Sequence, residues 1–363
     1  MNMNIFIALY SGARKEYKRI PNLDSSCANK PVLADNMIPT SYQNGEWVIA
    51  DKTNSNKDNS WYDYTNGKWA NAVVVNDKKY EKAKAGTKLS EEDILAWYVW
   101  IPRFRYKLWN AGNEVIDSYN AYDNGIEITF ENGLGSIDEG TANNKFITHP
   151  AFGDNLRGFW ISKYEISEKN NTIYSKKGTE ALTNKSLSTM YELIRKISTT
   201  NYHMITNTEW GAVAYLSRSI YGICKDNVCT DNVANKENIS GKEEKDSTTN
   251  NPYGVFDMNG SNAEFVMANL AGEDGNISLS NTNFNNIAIS NNDYDLYKES
   301  FILGDATKEL LFNKNKWIEK NMDKDNNWLV RGGIYTEDNA NIFSYRSTSD
   351  KEDEYITTRI TIK

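Results

Sequence analysis

Two segments near the N-terminal end of the chain alternate apolar and polar residues. The segments 45–51 and 67–75 each begin at the glycine of an Asn-Gly pair. Asn-Gly between alternating segments is a strong signal for the turn of a β-hairpin. We therefore predict two hairpins whose tips are these Asn-Gly pairs. The aromatic residues Trp61, Tyr62 and Tyr64 before the second tip are expected to pack across neighbouring strands, with a ligand-binding cluster as the alternative.

Apolar residues recur at helical spacing in two later segments. Residues 183–199 and 207–219 each place apolar side chains three or four positions apart, which predicts two amphipathic helices. A shorter helix is predicted within residues 87–97, where Thr87 or Ser90 can cap it and three acidic residues would occupy its first turn.

The remaining apolar runs have the density of buried strands. They are residues 97–101, 104–109, 158–166, 328–333 and 355–363. Residues 225–250 and 272–298 are instead rich in Asn and Ser and lack an apolar period. We predict that they form long loops and that the first of these loops is exposed.

The composition limits the chemistry that is open to the chain. Two His and three Cys are too few for zinc cages or iron–sulfur centres. The formal net charge of −8 argues against a surface that binds nucleic acid. By contrast, 10 Trp and 22 Tyr, together with many Asn, supply stacking faces and amide hydrogen bonds. This balance favours recognition over catalysis.

Two of the cysteines are close in sequence. Cys224 and Cys229 are separated by Lys-Asp-Asn-Val, which can form the turn of a hairpin. A disulfide across that turn is geometrically feasible, and two free thiols or a metal or redox pair are the alternatives. A disulfide would favour an oxidising, extracellular setting.

The first residues contain one short apolar run, Ile5–Leu9. A helix that spans a membrane needs roughly 20 apolar residues, and a signal peptide needs a basic start and a longer apolar core. No membrane insertion is therefore expected. The run is either the remnant of a longer export or pilin-type segment, or a short edge strand or frayed tail.

Five short motifs follow one another between residues 100 and 333. They are Trp-Ile-Pro-Arg-Phe at 100–104, Gly-Phe-Trp-Ile-Ser-Lys-Tyr-Glu at 158–165, Met-Ile-Thr-Asn-Thr-Glu-Trp-Gly-Ala-Val-Ala-Tyr at 204–215, Tyr-Gly-Val-Phe-Asp-Met-Asn-Gly-Ser-Asn-Ala-Glu-Phe at 253–265 and Val-Arg-Gly-Gly at 330–333. In this order they resemble the formylglycine-generating enzyme, or sulfatase-modifying factor, family. The chain looks most like its bacterial and phage ligand-display branch, to which the variable proteins of diversity-generating retroelements belong.

The resemblance implies an α+β, C-type-lectin-like domain with long irregular loops over residues 96–363. A small β-hairpin-rich segment, residues 31–95, would precede that domain. Residues 1–30 are largely polar and charged and would form an N-terminal tail or linker.

The chain departs from this family where its enzymes carry out their chemistry. Enzymatic members use two cysteines soon after the Arg-Gly-Gly motif to activate oxygen with copper. Here Arg331-Gly332-Gly333 is followed by no cysteine, because Cys229 is the last one in the sequence. Without a thiolate there is neither a soft ligand for copper nor a sulfur nucleophile. We therefore expect a protein that is not an enzyme.

The family also has a segment that lends ligands to a structural calcium ion, and it corresponds to residues 260–265 here. Glu264 is kept, and Asp257 and Asn259 could add two further oxygen ligands. The alternative is a loop whose polar side chains bond to its own backbone. No other cofactor is expected.

In the display proteins of this family the ligand surface lies between the Arg-Gly-Gly motif and the last strand. The residues that this implies as ligand contacts are Tyr335, Glu337, Asp338, Asn339, Asn341, Tyr345, Ser347 and Asp350. A set rich in Tyr, Asn, Asp and Ser is typical of antibody loops. Structural roles are implied for Arg331, Gly332, Gly333, Arg346 and Trp210, and a structural role is the alternative for Tyr345.

The sequence thus predicts a receptor-binding display protein of the adhesin type, extracellular, on a phage tail or a bacterial surface. Its partner would be a protein or glycan of a host cell or of the environment, and the N-terminal segment could mediate oligomeric assembly. Diversification by a retroelement would favour the same residue types, but an AT-rich genome would as well. The alternatives are a structural tail-tip or pilus subunit and a divergent enzyme of the same family.

Overall fold

The computed structural model describes residues 22–76, 78–109, 124–198, 201–225, 228–230, 234–272, 274–279, 282, 284, 289–290, 292–298, 302–309, 326–337 and 340–363. Its strands are β1 (Met37–Gln43), β2 (Glu46–Ile49), β3 (Asn71–Val75), β4 (Ile94–Pro102), β5 (Phe104–Lys107), β6 (Ile128–Phe130), β7 (Phe146–Thr148), β8 (Gly158–Ser162), β9 (Ser167–Lys169), β10 (Thr172–Tyr174), β11 (Tyr202–Met204), β12 (Cys224–Lys225), β13 (Val228–Cys229), β14 (Ala263–Leu270), β15 (Asp295–Tyr297), β16 (Trp328–Gly332), β17 (Asn341–Thr348), β18 (Ile356–Thr357) and β19 (Ile360–Ile362). Its α-helices are α1 (Leu187–Ile197) and α2 (Asn207–Ser217).

The fold is mainly β, so the expected α+β, C-type-lectin-like class is wrong. The two α-helices that lie wholly within the described residues, α1 and α2, contribute side chains to the same core as the sheets. The helix predicted within residues 87–97 is also wrong. Only a 3-10 turn forms at Glu91–Asp93, because the apolar run that follows continues the buried strand β4 from Ile94 onward.

Seven strands form the larger sheet, in the order β11-β19-β8-β4-β3-β1-β2. The β3 strand of the N-terminal segment pairs antiparallel with β4, and the last strand, β19, pairs with β8. The hairpin segment at residues 31–95 and the start of the following domain therefore share one sheet. The seven-stranded sheet therefore continues across the domain boundary that was expected at residue 95.

The two predicted hairpins have different outcomes. The first is confirmed: β1 and β2 pair antiparallel across Asn44 and Gly45, which both adopt positive φ angles. The second is wrong, because a 3-10 turn at Tyr64–Asn66 and a single bridge between Asp63 and Lys68 replace the two strands. Nearby aromatic side chains are drawn into the core. Trp61, Tyr62 and Tyr64 are each at most 1% exposed.

A second sheet contains strands from the last two motifs, those at residues 253–265 and 330–333. Its order is β15-β14-β16-β17, and β18 pairs with β14 in parallel. The strand β14 is buried along nearly its whole length, with only Leu270 partly exposed. Smaller sheets are formed by β6-β5-β7, by β9 and β10, and by β12 and β13.

Both longer helices are confirmed within a few residues of their predicted ends. In α1 one face is buried, with Leu187, Met190 and Ile194 in the core. Every residue of α2 is buried. The cap of α2 is Thr206, whose side chain accepts from the backbone N–H of Glu209, while the Glu209 carboxylate accepts from the Thr206 N–H. This reciprocal capping box satisfies two helix-end donors.

The exposed loop predicted at residues 225–250 is confirmed only in part: among its described residues, 242–245 are exposed, whereas 246–249 are buried. Ser240 and Ser247 are fully buried, because their hydroxyls donate inward to Glu165 and to the carbonyl of Asn251. Polar residues can be buried when their hydrogen bonds are made inside the protein.

Of the tail predicted at residues 1–30, the described part packs on the body: Ala28 and Asn29 are buried. The run Ile5–Leu9 lies outside the described residues.

None of the described helices has the length and apolar character that crossing a membrane requires.

Candidate ligand-binding surface

The chain leaves β16 through two glycines before it enters the predicted ligand loop. Gly332 and Gly333 have φ angles of 88° and 81°, a region that side chains with a Cβ rarely adopt. A Cβ on Gly332 would also lie 3.3 Å from the carbonyl oxygen of Met258. The backbone angle therefore favours glycine at both positions, and the close approach to Met258 is a second reason at Gly332.

Tyr335 and Glu337 lie on the loop beyond these glycines. The backbone N–H of Tyr335 donates to the carbonyl of Ser261 at 2.7 Å. The ring of Tyr335 is half-buried against the ring of Tyr355, with centroids 5.8 Å apart. Glu337 is exposed, and its backbone carbonyl accepts from Lys236 at 3.4 Å. Asp338 and Asn339 lie outside the described residues.

The strand β17 contributes a second group of partly exposed side chains. Asn341, Arg346 and Ser347 are each partly exposed. The side-chain oxygen of Asn341 accepts from the backbone N–H of Phe343, so the amide also shapes the start of the strand. These three residues lie on β17, and residues 335–337 belong to the loop that connects β16 to β17.

Two of the expected contact residues lie inside the protein. Tyr345 is 1% exposed, and its ring lies 5.6 Å from the Arg331 guanidinium. Asp350 is 3% exposed, and its carboxylate accepts from the backbone N–H of Ser188 in the first turn of α1 at 2.8 Å. Neither side chain is open to a ligand in this conformation, because each is used to hold the fold together.

Arg331 connects the β16–β17 hairpin to α2 and to residues 305–306. Its guanidinium is fully buried and donates to the side-chain oxygen of Asn207 and to the carbonyls of Asp305 and Ala306. It also lies 5.8 Å from the ring of Trp210, whose indole N–H donates to the carbonyl of Ile342 at 2.7 Å. Arg331 and Trp210 thus tie α2 to both strands of the hairpin.

Two of the three residues suggested for calcium, Glu264 and Asp257, accept hydrogen bonds from protein donors. Arg359 makes three N–H···O contacts of 2.7 to 2.9 Å with the Glu264 carboxylate. The two Asp257 oxygens accept from the Asn235 amide and from the Gly241 N–H. In the part of the chain that the structure describes, no group of three or more His, Cys, Asp or Glu is arranged to hold a metal ion. The calcium hypothesis is therefore not supported at Asp257, Asn259 and Glu264.

These carboxyls instead belong to a buried acidic cluster beneath the ligand loop. The cluster consists of Glu165, Asp257 and Glu264, which are all fully buried, together with Arg359. Burial is the main cause that raises the pKa of Glu165 to about 7 and that of Asp257 to about 8. Like-charge repulsion adds to both shifts, from Glu264 on Glu165 and from Glu165 on Asp257. At Glu264 burial raises the pKa and Arg359 opposes it.

Ser261 connects this cluster to the ligand loop. Its hydroxyl donates to Glu165 at 3.0 Å, and its carbonyl accepts the N–H of Tyr335. The Glu165 carboxylate also accepts from Ser240 and from the backbone N–H of Asn262. The position of Tyr335 therefore depends on a polar network that lies wholly inside the protein.

The expected disulfide is present. Cys224 and Cys229 face each other across β12 and β13 and are bonded, while Cys27 is a free, exposed thiol. A Cβ on Gly125 would lie 3.2 Å from the Cys224 sulfur, so the hairpin base packs closely on the segment before β6.

Two clefts are formed by residues that no sequence pattern groups together. One, of about 690 Å³, lies beside β1 and β3 and is lined by Met37, Val75 and Tyr80 among others. The other, of about 410 Å³, lies over β4, β8 and β19 and is lined by Trp100, Trp160 and Ile362 among others. The tryptophans were recognisable as strand residues, but the strand pairing that groups them cannot be read from their spacing.

No model of a known protein family matches the chain, and no curated protein sequence matches it. Among solved structures it is similar to "Structure of PvdO from Pseudomonas aeruginosa", with 11% sequence identity and a TM-score of 0.29, over 76% of this chain and 96% of that one. A similarity at that TM-score carries no argument about fold or function.

Proposed function

We propose that this chain is a ligand-binding display protein without enzymatic activity, exposed on a virion or a bacterial surface, and that it binds a protein or glycan through the hairpin of β16 and β17. The contact residues in this proposal are Tyr335, Glu337, Asn341 and Ser347. Tyr345 and Asp350 are left out because they are buried.

The observation that carries the proposal is the rigid mounting of Tyr335. Its backbone is bonded to Ser261, its ring packs edge-on against Tyr355, and Arg331 holds the strand before it. An aromatic side chain that is fixed before binding loses little conformational entropy on binding and offers both apolar area and a hydroxyl. Glu337 follows Tyr335 in the loop and Asn341 lies opposite Gly332, whereas Ser347 lies farther along β17, opposite Leu329. Polar side chains of this kind suit the adaptable rim of a binding surface.

Two further observations support an extracellular location and the proposed absence of enzymatic activity. The Cys224–Cys229 disulfide is typical of proteins in oxidising compartments. No cysteine follows Arg331-Gly332-Gly333, so the oxygen-activating thiols of the enzymes with similar motifs have no counterpart. The proposal that a retroelement diversifies the surface has a separate genetic test, which is a template repeat near the 3′ end of the gene.

The direct experiment exposes the fluorescently labelled full chain to arrays of bacterial cells, surface glycans and extracellular proteins. Retention of a ligand is expected, and Tyr335→Ala should weaken it about tenfold or more, as is usual for an interfacial hot-spot aromatic. Tyr174→Ala is the matched control, because Tyr174 is a partly exposed tyrosine on the separate β9–β10 hairpin.

Equal binding by Tyr335→Ala and the parent chain would contradict the assignment of this surface. Retention of no ligand, together with self-assembly into fibres or rings, would contradict the function and favour the structural tail-tip or pilus subunit.

A further inference from the structure

We infer that the 410 Å³ cleft over β4, β8 and β19 is a second binding site, and that it takes a small organic anion with an apolar body. This inference goes beyond the proposed function, because the cleft lies on the seven-stranded sheet and shares no lining residue with the ligand surface.

Strand register builds the floor of this cleft. Trp100 of β4 is directly opposite Trp160 of β8, and Trp160 is directly opposite Ile362 of β19. Residues paired across neighbouring strands point to the same face of a sheet. Two indoles and an isoleucine therefore form one continuous apolar row, with the Trp100 and Trp160 ring centroids 5.2 Å apart.

Chain segments from three parts of the sequence form the walls. Residues 32–35 run along one side, where the carbonyl of Val32 accepts from the Trp160 indole N–H at 2.6 Å. Residues 155–158 and Asn201 also line the cleft. Leu33 and Leu156 are half-buried and Val32 is 59% exposed, so apolar surface remains available at the opening. A volume of about 410 Å³ is within the range of ligand-binding clefts.

Arg157 offers the cleft a cation that an anionic ligand could bind. Arg157 is exposed, and its guanidinium makes no side-chain hydrogen bond or ion pair with the described residues. The other cation of the lining, Lys363, is already bonded to Glu209 at 2.7 Å. Asp35 is the one acidic side chain of the lining, and it lies on the 32–35 wall. Arg157 is thus the group that a carboxylate or sulfonate can bind through two parallel hydrogen bonds.

The geometry predicts opposite effects for the two charges. Replacing Arg157 removes the attraction for an anion, whereas replacing Asp35 removes a repulsion. An uncharged ligand with the same apolar body should respond to neither change. A side chain that fills the cleft should exclude both ligands.

The test uses the full chain and two fluorescent probes of similar shape, the anionic 8-anilinonaphthalene-1-sulfonate and the neutral N-phenyl-1-naphthylamine. Their dissociation constants are measured by titration at low ionic strength. We expect Arg157→Gln to weaken binding of the sulfonate about fivefold or more, by loss of a charge-assisted contact, and Asp35→Asn to strengthen it. The neutral probe should bind both variants as it binds the parent chain.

Two further variants keep the result interpretable. Lys145→Gln removes an exposed cation outside the cleft and should leave both probes unaffected. Ala34→Phe, at a half-buried position of the wall, should abolish binding of both probes, and circular dichroism and thermal unfolding check that it folds. If Ala34→Phe does not fold, soaking the sulfonate into crystals of the parent chain locates it directly.

The inference is overturned if the sulfonate does not bind, if Arg157→Gln and Lys145→Gln weaken it equally, or if the bound probe lies elsewhere. Tyr335→Ala should leave probe binding intact, so a failure here and a failure of the proposed function are distinguishable.

Discussion

Arg359 and Glu264 form a fully buried ion pair that joins the two main sheets. Glu264 belongs to β14 of the second sheet, and Arg359 directly precedes β19 of the seven-stranded sheet. Besides its three contacts with Glu264, Arg359 donates to the carbonyls of Lys163 and Phe256. The guanidinium therefore satisfies acceptors from three separate parts of the chain.

Removal of one partner of this pair should be strongly destabilising. We expect Glu264→Gln or Arg359→Met alone to lower the free energy of unfolding by about 3–5 kcal/mol, because the remaining charge is buried without its counter-charge. The double variant Glu264→Gln/Arg359→Met should lose less than the sum of the two single variants. Urea unfolding measures all three. Additive losses would mean that the two side chains do not interact energetically.

The acidic cluster should make stability depend on pH through Glu165. Its folded-state pKa of about 7 lies above the value of about 4.3 in an unfolded chain, so the folded state binds more protons between these values. The stabilisation that this group provides is complete below about pH 4 and is lost as the pH rises through 7. The stability of Glu165→Gln relative to the parent chain should therefore rise over that range.

Chemical denaturation of both chains at several pH values measures this slope, and a constant offset between them does not affect it. Glu81→Gln, at an exposed side chain, controls for the loss of one negative charge. A difference between Glu165→Gln and the parent chain that stays flat from pH 4 to pH 8 would contradict the raised pKa.

Gly211 allows α2 to approach the chain at residues 304–305. A Cβ on Gly211 would lie 2.0 Å from the carbonyl oxygen of Gly304 and 2.9 Å from the carbonyl carbon of Asp305. Alanine is otherwise favoured over glycine inside a helix by about 1 kcal/mol. Here we expect Gly211→Ala to destabilise the protein by about 2 kcal/mol, because the backbone must move apart.

Thermal and urea unfolding measure the effect of Gly211→Ala. Gly133→Ala is the comparison, because a Cβ there meets nothing within 4 Å. A Gly211→Ala variant as stable as the parent chain would show that α2 does not pack this closely.

The Cys224–Cys229 bond should contribute modestly to stability. It closes a loop of only a few residues, and loop entropy then accounts for about 2 kcal/mol. Reduction, or the Cys224→Ala/Cys229→Ala pair of substitutions, should lower the melting temperature by a few degrees without unfolding the chain. Thiol titration of the denatured protein should find one free thiol, Cys27, before reduction and three after it.

Cys27→Ser is the control, because that thiol is exposed and free. If three thiols react before reduction, the disulfide is absent, and with it the main support for an extracellular setting.

Features governed by neighbouring residues could be predicted from the sequence. The Asn44-Gly45 turn is confirmed because positive φ angles favour these two residue types wherever the turn lies. The helices α1 and α2 follow from apolar spacing within about a dozen residues. The predicted helix near residue 90 failed because its apolar end also fits a strand, and pairing with β3 and β8 favours the strand.

The candidate site was predictable only in part, because contacts made in the tertiary structure decide which side chains are exposed. Exposure was expected wherever side chains are polar, and it fails at Asp350 because a helix N-terminus at Ser188 takes up its carboxylate. It fails at Tyr345 because Arg331 lies beneath β17. Ser188 is 162 residues from Asp350, and Arg331 is brought opposite Tyr345 by the register of β16 and β17. Neither contact can be predicted from the residues next to Asp350 or Tyr345.

The sequence by itself determined the Asn44-Gly45 turn, the two helices, the strand-forming runs and the pair of cysteines close enough to bond. All of these depend on backbone preferences and on side-chain periods over short distances. Only the tertiary structure decided that the fold is mainly β, that Arg359 neutralises Glu264, and that Trp100 and Trp160 share a cleft with Arg157. Those outcomes depend on strand order and register, which bring together residues far apart in the chain.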